Sequence, residues 1–90
     1  MGKLTAFVDI FVESRRFDEV VEELRRTQGI KMVYEVTGEF DIIVLVESDG
    51  TEGLRAILKD RIMKIHGVRS TVTDVVMMAH EPYDGSPLHE

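Results

Sequence analysis

The sequence predicts an α+β sandwich of βαββαβ order, the split-βαβ or ferredoxin-like arrangement. Three observations carry that prediction. Apolar periodicity switches between two and 3.6 residues in the order strand, helix, strand, strand, helix, strand. The halves also repeat. Val12-Glu13-Ser14 leads into a helical stretch closed by Gly29-Ile30-Lys31, and Val46-Glu47-Ser48 leads into one closed by Gly67-Val68-Arg69. The offset is 34 residues at the serine and 38 at the glycine, so the second helix should be about one turn longer. Finally, the first and third strands are apolar on both faces, as the two central strands of this topology must be.

Each element has its own signature. Residues 4–12 alternate Ala6, Val8, Ile10 and Val12 on one face with Phe7, Asp9 and Phe11 on the other. Phe17, Val20, Val21 and Leu24 then recur at helical spacing, with acids early, arginines late and Gly29 placed for the C-terminal cap. Residues 30–37 and 41–47 read as strands joined by a turn at Gly38, hence a hairpin. Asp49 or Thr51 is placed to cap the second helix, whose apolar side is Leu54, Ile57, Leu58, Ile62 and Ile65 and which ends at Gly67. Residues 68–79 form the last strand, with Met77 and Met78 as strand core.

Ninety residues allow one domain, placed at 4–79, followed by an acidic tail at 80–90. The 11 Lys and Arg against 17 Asp and Glu give a net charge of −6. Three of the acids, Glu81, Asp84 and Glu90, fall in the tail with no base beside them. An acidic chain argues against a nucleic-acid module, which would carry a basic face. Zero cysteines exclude a disulfide framework, a thiolate metal site and a Cys nucleophile. With no apolar run near bilayer length and no signal-peptide core after Met1, the expectation is a soluble cytoplasmic domain without membrane contact.

Both helices of this topology cover the same sheet face. The other face then carries Phe7, Phe11, Tyr34, Ile43 and their neighbours with nothing of the same chain over them. An apolar patch of that kind on a short chain predicts a homodimer formed face to face through the sheets, a dimeric α/β barrel.

Candidate sites are few. In Val36-Thr37-Gly38-Glu39-Phe40-Asp41, Gly38 can take positive φ and leave amides open, and Asp41 is an anion at the mouth of the sheet. A turn that uses Gly and Asp for conformational reasons reads the same way. Thr71 and Thr73 offer two hydroxyls at period two, suited to a zwitterion, or are simply β-branched strand residues. His66, His80 and His89 have no metal-ligand spacing and read as surface residues. Glu22-Glu23 and Arg25-Arg26 read as a solvated helix face. Asp9, alone among apolar strand neighbours, is either a buried catalytic acid or an inter-subunit or edge contact. No phosphate loop, nucleophile elbow or HExxH motif is present, so no catalytic residue, metal or cofactor is assigned.

The segment Val33-Tyr34-Glu35-Val36-Thr37-Gly38-Glu39-Phe40-Asp41-Ile42, followed by an apolar strand, a helix and Gly67-Val68-Arg69-Ser70-Thr71-Val72-Thr73, resembles the C-terminal effector (RAM) domain of Lrp/AsnC transcription regulators. The resemblance runs from about Leu4 to Ala79. It implies a domain that dimerises through its sheets, stacks as an octamer or other ring of dimers, and binds an amino acid between dimers. Carried over residue by residue, the ligand segment is Thr37, Gly38, Glu39, Phe40 and Asp41, joined by Thr71 and Thr73. Asp41 would receive the ammonium; amides near Gly38 and the threonine hydroxyls would meet the carboxylate. Phe40 stands where Tyr is also common, which removes a phenol hydrogen bond. His66 replaces a frequent Pro before Gly67-Val68.

Only Met1-Gly2-Lys3 precedes the first strand, so the family's helix-turn-helix is expected to be absent and direct DNA binding with it. The leading expectation is a non-enzymatic, amino-acid-responsive module, stand-alone in form, that acts by assembly and joins a full-length Lrp/AsnC-type regulator. Two alternatives remain: a dimeric α+β barrel enzyme resembling cofactor-independent monooxygenases, for which Asp9 is the inner acid, and a purely structural assembly subunit.

Overall fold

The computed structural model describes residues 2–85. Strands β1 (Lys3–Val12), β2 (Ile30–Glu35), β3 (Ile42–Asp49) and β4 (Val68–Val75) alternate with helices α1 (Phe17–Arg25) and α2 (Gly50–Ala56) in βαββαβ order. A 3-10 turn, Ser14–Arg16, leads into α1; a π turn, Ile57–Arg61, and a 3-10 turn, Ile62–Lys64, prolong α2. The greater length of the second half is taken up in these two wound turns, not in a longer regular helix. The sheet is antiparallel throughout, in the order β2-β3-β1-β4. The two central strands are therefore β1 and β3, the two that are apolar on both faces.

Alternation decides which face each side chain takes. Ala6, Val8, Ile10 and Val12 of β1 and Ile42, Val44 and Val46 of β3 are buried under Val20 and Leu24 of α1 and Leu54, Ile57 and Ile62 of the second helical segment. The odd positions of both strands face the other way. Registry pairs Phe7 with Leu45 and Asp9 with Ile43 across β1 and β3, Asp9 with Val72 on β4, and Tyr34 with Ile43 on β2. On that uncovered face Phe7, Tyr34, Met32 and Val72 are 39%, 42%, 47% and 47% exposed. Large apolar side chains at that exposure, side by side on one sheet, form a contiguous patch and not scattered single residues.

The two halves lock each other through their repeated glycines. The Gly67 carbonyl accepts the Glu13 N–H at 2.8 Å, and the Gly29 carbonyl accepts the Glu47 N–H at 2.9 Å. These are the same bond made twice, once from each half to the other. Both glycines hold positive φ, +99° at Gly29 and +109° at Gly67. A Cβ on Gly67 would come within 2.7 Å of Arg16 Cβ and 2.9 Å of Val20 Cγ2, while one on Gly29 would come within 2.5 Å of Ile57 Cδ1. Each glycine thus lets its strand start directly beneath the other half's helix.

Three expectations need correction. The last strand ends at Val75, and its final ladder bond is Val76 N–H to the Thr5 carbonyl at 2.8 Å. The same registry sets Leu4 and Lys3 of β1 opposite Met77 and Met78, but the two methionines leave the ladder, are 95% and 72% exposed and are not strand core. Neither Asp49 nor Thr51 caps α2 with its side chain; the Ser48 hydroxyl donates instead to the Gly50 carbonyl at 3.0 Å. The second strand stops at Glu35 and the third starts at Ile42, so the hairpin connection is longer than a tight turn. In the acidic tail, residues 81–85 are exposed and 86–90 lie outside the described residues.

Glycine-to-alanine substitutions should rank by this geometry. Gly38→Ala meets nothing within 4 Å and should cost only the backbone strain, about 1–2 kcal/mol. Gly67→Ala adds a clash with the fixed Arg16 and Val20 stems and should cost about 3 kcal/mol in urea unfolding.

Candidate functional site

The connection between β2 and β3, residues 36–41, stands at one end of the sheet and is held by three hydrogen bonds. Val36 N–H donates to the Asp41 carbonyl at 3.0 Å, and Asp41 N–H donates to the Ile10 carbonyl at 3.2 Å. Val12 N–H donates to Asp41 Oδ2 at 2.9 Å. The β1–β3 ladder stops at the Ile10–Ile42 pair, so Asp41 continues it with a side-chain oxygen where no backbone carbonyl reaches. Phe40 packs its ring on Phe11, centroids 4.5 Å apart and planes at 38°, which turns Phe40 toward the uncovered sheet face.

What remains unpaired defines the chemistry. Among the described residues, the N–H groups of Thr37, Gly38, Glu39 and Phe40 donate to no protein acceptor, and Asp41 Oδ1 accepts no hydrogen bond. Thr37, Gly38 and Glu39 are exposed. Gly38 has φ +149° and open space where a side chain would project. A row of free donors beside a half-used carboxylate presents positive dipoles and a negative charge a few residues apart. That is the complement of a zwitterion's carboxylate and ammonium.

Thr71 and Thr73 lie on the opposite side of β1 from this turn. Their registry partners are Ile10 and Val8, and opposed residues share a face, so both threonines point to the helix side and are half-buried. Thr71 and the Asp41 amide therefore flank the same residue, Ile10, from its two edges. Within one protomer the structure does not gather the turn and the two threonines into one pocket.

Asp9 occupies the centre of the uncovered face, opposite Ile43 on one side and Val72 on the other. Burial, and secondarily the negative charge of Asp74, raises its pKa above the ordinary 3.8. The enzyme alternative needs this acid between the sheet and the helices, and the structure puts it on the other face. His66 and His80 are exposed, and among the described residues no group of three or more His, Asp or Glu side chains is placed to hold a metal ion. No described helix is long and apolar enough to cross a membrane.

Sequence reasoning did not find the part played by Val12, whose amide fixes Asp41, or by Phe11, which seats Phe40. An aspartate directly before a strand, following an aromatic residue, was the available signal.

Comparison with known proteins agrees with this architecture. The family model described as the Lrp/AsnC ligand binding domain matches residues 5–86. The chain belongs to that family. The HTH-type transcriptional regulator FL11 of Pyrococcus abyssi is 33% identical over 85 residues, which cover 94% of this chain and 56% of that protein. The chain thus spans about half the length of such regulators. The crystal structure of TTHA0845 from Thermus thermophilus superposes with a TM-score of 0.83 at 29% identity, covering 88% of this chain and 99% of that one. The fold is shared further with the transcriptional regulator NMB0573 from Neisseria meningitidis in its complex with L-methionine, with a TM-score of 0.82 at 16% identity. That match covers 93% of this chain and 56% of that one.

Two substitutions separate the roles of Asp41. Asp41→Ala orphans the Val12 amide and should destabilise the fold by about 1–3 kcal/mol in urea unfolding, whereas Asp41→Asn keeps an acceptor oxygen and should cost less than half as much. Asp9→Asn should act through pH. A carboxyl whose folded pKa is raised carries no penalty below 3.8 and destabilises increasingly as pH rises through its folded value. The variant should therefore melt higher than the parent at pH 7 and level with it near pH 3.

Proposed function

We propose that this domain is a regulatory module that senses an amino acid through the 36–41 turn and answers by assembly. The observation that carries the reading is the pairing of four unpaired amides, 37–40, with the half-used Asp41 carboxylate in one exposed turn. The Asp41 Oδ1 atom takes the ammonium, and the amides around Gly38 take the carboxylate. Thr37 and Glu39, both exposed beside those amides, face the ligand, and Phe40 forms the base of the site on Phe11. The complex of the Neisseria regulator with L-methionine supports an α-amino acid as the ligand class to test first.

Assembly follows from the sheet. Two copies close their uncovered faces on each other, covering Phe7, Tyr34, Ile43, Leu45 and Val72 and burying Asp9 against the seam. Further association stacks dimers into an octamer or other ring, and Thr71 and Thr73 reach the ligand from a neighbouring subunit, since their own protomer directs them away from the turn. Ligand bound at such a seam favours the assembled state by its differential affinity. The domain makes no covalent change in its ligand and needs no cofactor. It works in the cytoplasm, coupled to a full-length Lrp/AsnC-type regulator that contacts DNA in its place.

Calorimetry with the natural amino acids is the direct test. At least one should bind saturably, and its N-acetyl derivative, which lacks the ammonium, should bind at least about tenfold more weakly. Asp41→Asn should remove binding and leave the fold intact. No heat from any amino acid up to about 10 mM contradicts the sensing role. Separately, Leu45→Glu on the uncovered face should dissociate the oligomer in sedimentation velocity without unfolding the protomer; an unchanged oligomer contradicts sheet-face closure.

A further inference from the structure

The helix side of the molecule carries a second feature, unrelated to the turn. Between α1 and the 61–66 segment lies an open cleft of about 590 Å³, within the size range of small-ligand sites. Its walls carry four of the chain's 11 Lys and Arg residues, Arg16, Arg26, Arg61 and Lys64, together with His66. Only two carboxylates, Glu19 and Glu23, oppose them. On a chain of net charge −6 this is a local excess of positive charge.

The excess is not evenly compensated. Arg16 Nη2 pairs with Glu19 at 3.0 Å, and Arg26 sits 3.8 Å from Glu23, both along α1. On the other wall, among the described residues, Arg61, Lys64 and His66 have no carboxylate partner within 4 Å. On each wall one arginine is partly built in. Arg61 Nη1 is fixed on the Gln28 carbonyl at 2.9 Å, and the Arg16 stem lies close over Gly67. Arg16 Nε is shielded from solvent and, among the described residues, donates to nothing.

The end of α1, which would repel an anion through its exposed carbonyls, is largely neutralised. Glu23 O accepts from Arg26 N–H and the Thr27 hydroxyl, Leu24 O accepts from Thr27 N–H, and Gln28 O holds Arg61. We propose that this cleft binds a small phosphorylated metabolite, its phosphate oxygens between Arg61, Lys64 and His66. A single carboxylate would leave most of these donors unanswered, whereas a phosphate or diphosphate offers several acceptor oxygens and more than one charge to planar guanidinium forks and an ammonium. The remaining volume, beside Thr27, Gln28 and Ile65, takes the organic part of the ligand. Because the cleft is on the helix side, closure of the opposite sheet face leaves it open, so the domain holds two independent ligand positions.

Calorimetry at low ionic strength with ADP, pyrophosphate and adenosine tests this. ADP and pyrophosphate should bind saturably with dissociation constants below about 1 mM, weaken as salt is raised, and compete with each other. Adenosine, which lacks the charge, should not bind. Lys64→Gln, whose side chain is exposed and makes no contact the fold needs, should weaken ADP binding about tenfold, and Lys64→Gln with Arg61→Gln should abolish it. Circular dichroism melting of each variant separates loss of the site from loss of the fold. Asp41→Asn should bind ADP like the parent. Absence of saturable binding by either phosphate compound up to about 5 mM overturns the proposal, as does binding that the Lys64 and Arg61 substitutions leave unchanged or that Asp41→Asn removes.

Discussion

One constraint organises this domain: the strand that leaves each helix must start directly beneath the helix of the other half. The reciprocal bonds from Glu13 to Gly67 and from Glu47 to Gly29 impose it. The glycines are what permit it, because a Cβ at either position would collide with the opposite half. Neither half can build this contact alone. The repeat is therefore a mutual clamp, and the sheet order β2-β3-β1-β4 follows once each half's second strand is drawn past the other half's first.

That clamp also decides where function can reside. With both helices drawn to one side, every even position of β1 from Ala6 to Val12 and of β3 from Ile42 to Val46 is consumed by the core, and every odd position is left over. Among the described residues, no further element covers the remainder. On the sheet side of the molecule, the uncovered face and the turn at its end are then free to meet something else. Asp9 marks the cost of that arrangement. A carboxyl among Phe7, Ile43 and Val72, raised in pKa by burial and by Asp74, tolerates water better than it tolerates a second sheet. The proposed closure of this face would couple assembly to the protonation of a residue that plays no part in the core.

The fold was legible because it is written in periodicity, and periodicity survives without knowledge of contacts. The alternation in residues 4–12 and the repeated Gly29 and Gly67 were enough to give element order and the central strands. Strand length was less legible: nothing in Met77-Met78 says that pairing stops after Val76 while Leu4 and Lys3 of β1 still stand opposite. The site was half legible. Gly38 and Asp41 announced a turn, but the bond from Val12 to Asp41 joins residues 29 apart and depends on where the β1–β3 ladder stops. The threonines illustrate the opposite failure. Their shared face was read correctly from the period of two, yet which of the sheet's two faces it is depends on registry with Ile10 and Val8, and no local pattern carries that. Of the basic residues of the helix-side cleft, only Arg26 and His66 stand out in the sequence, the one in a solvated helix face and the other as a surface residue. Only the fold places Arg16 beside Lys64.

The proposed sensing role depends on the 36–41 turn acting as the amino-acid site. Amide proton–nitrogen correlation spectra of the labelled domain, recorded while L-methionine is added, test that claim residue by residue. The amides of Thr37, Gly38, Glu39 and Phe40 should shift together and saturate at one dissociation constant, while those of the helix-side cleft stay still. Saturating shifts elsewhere in the domain with the 37–40 amides unmoved would contradict it.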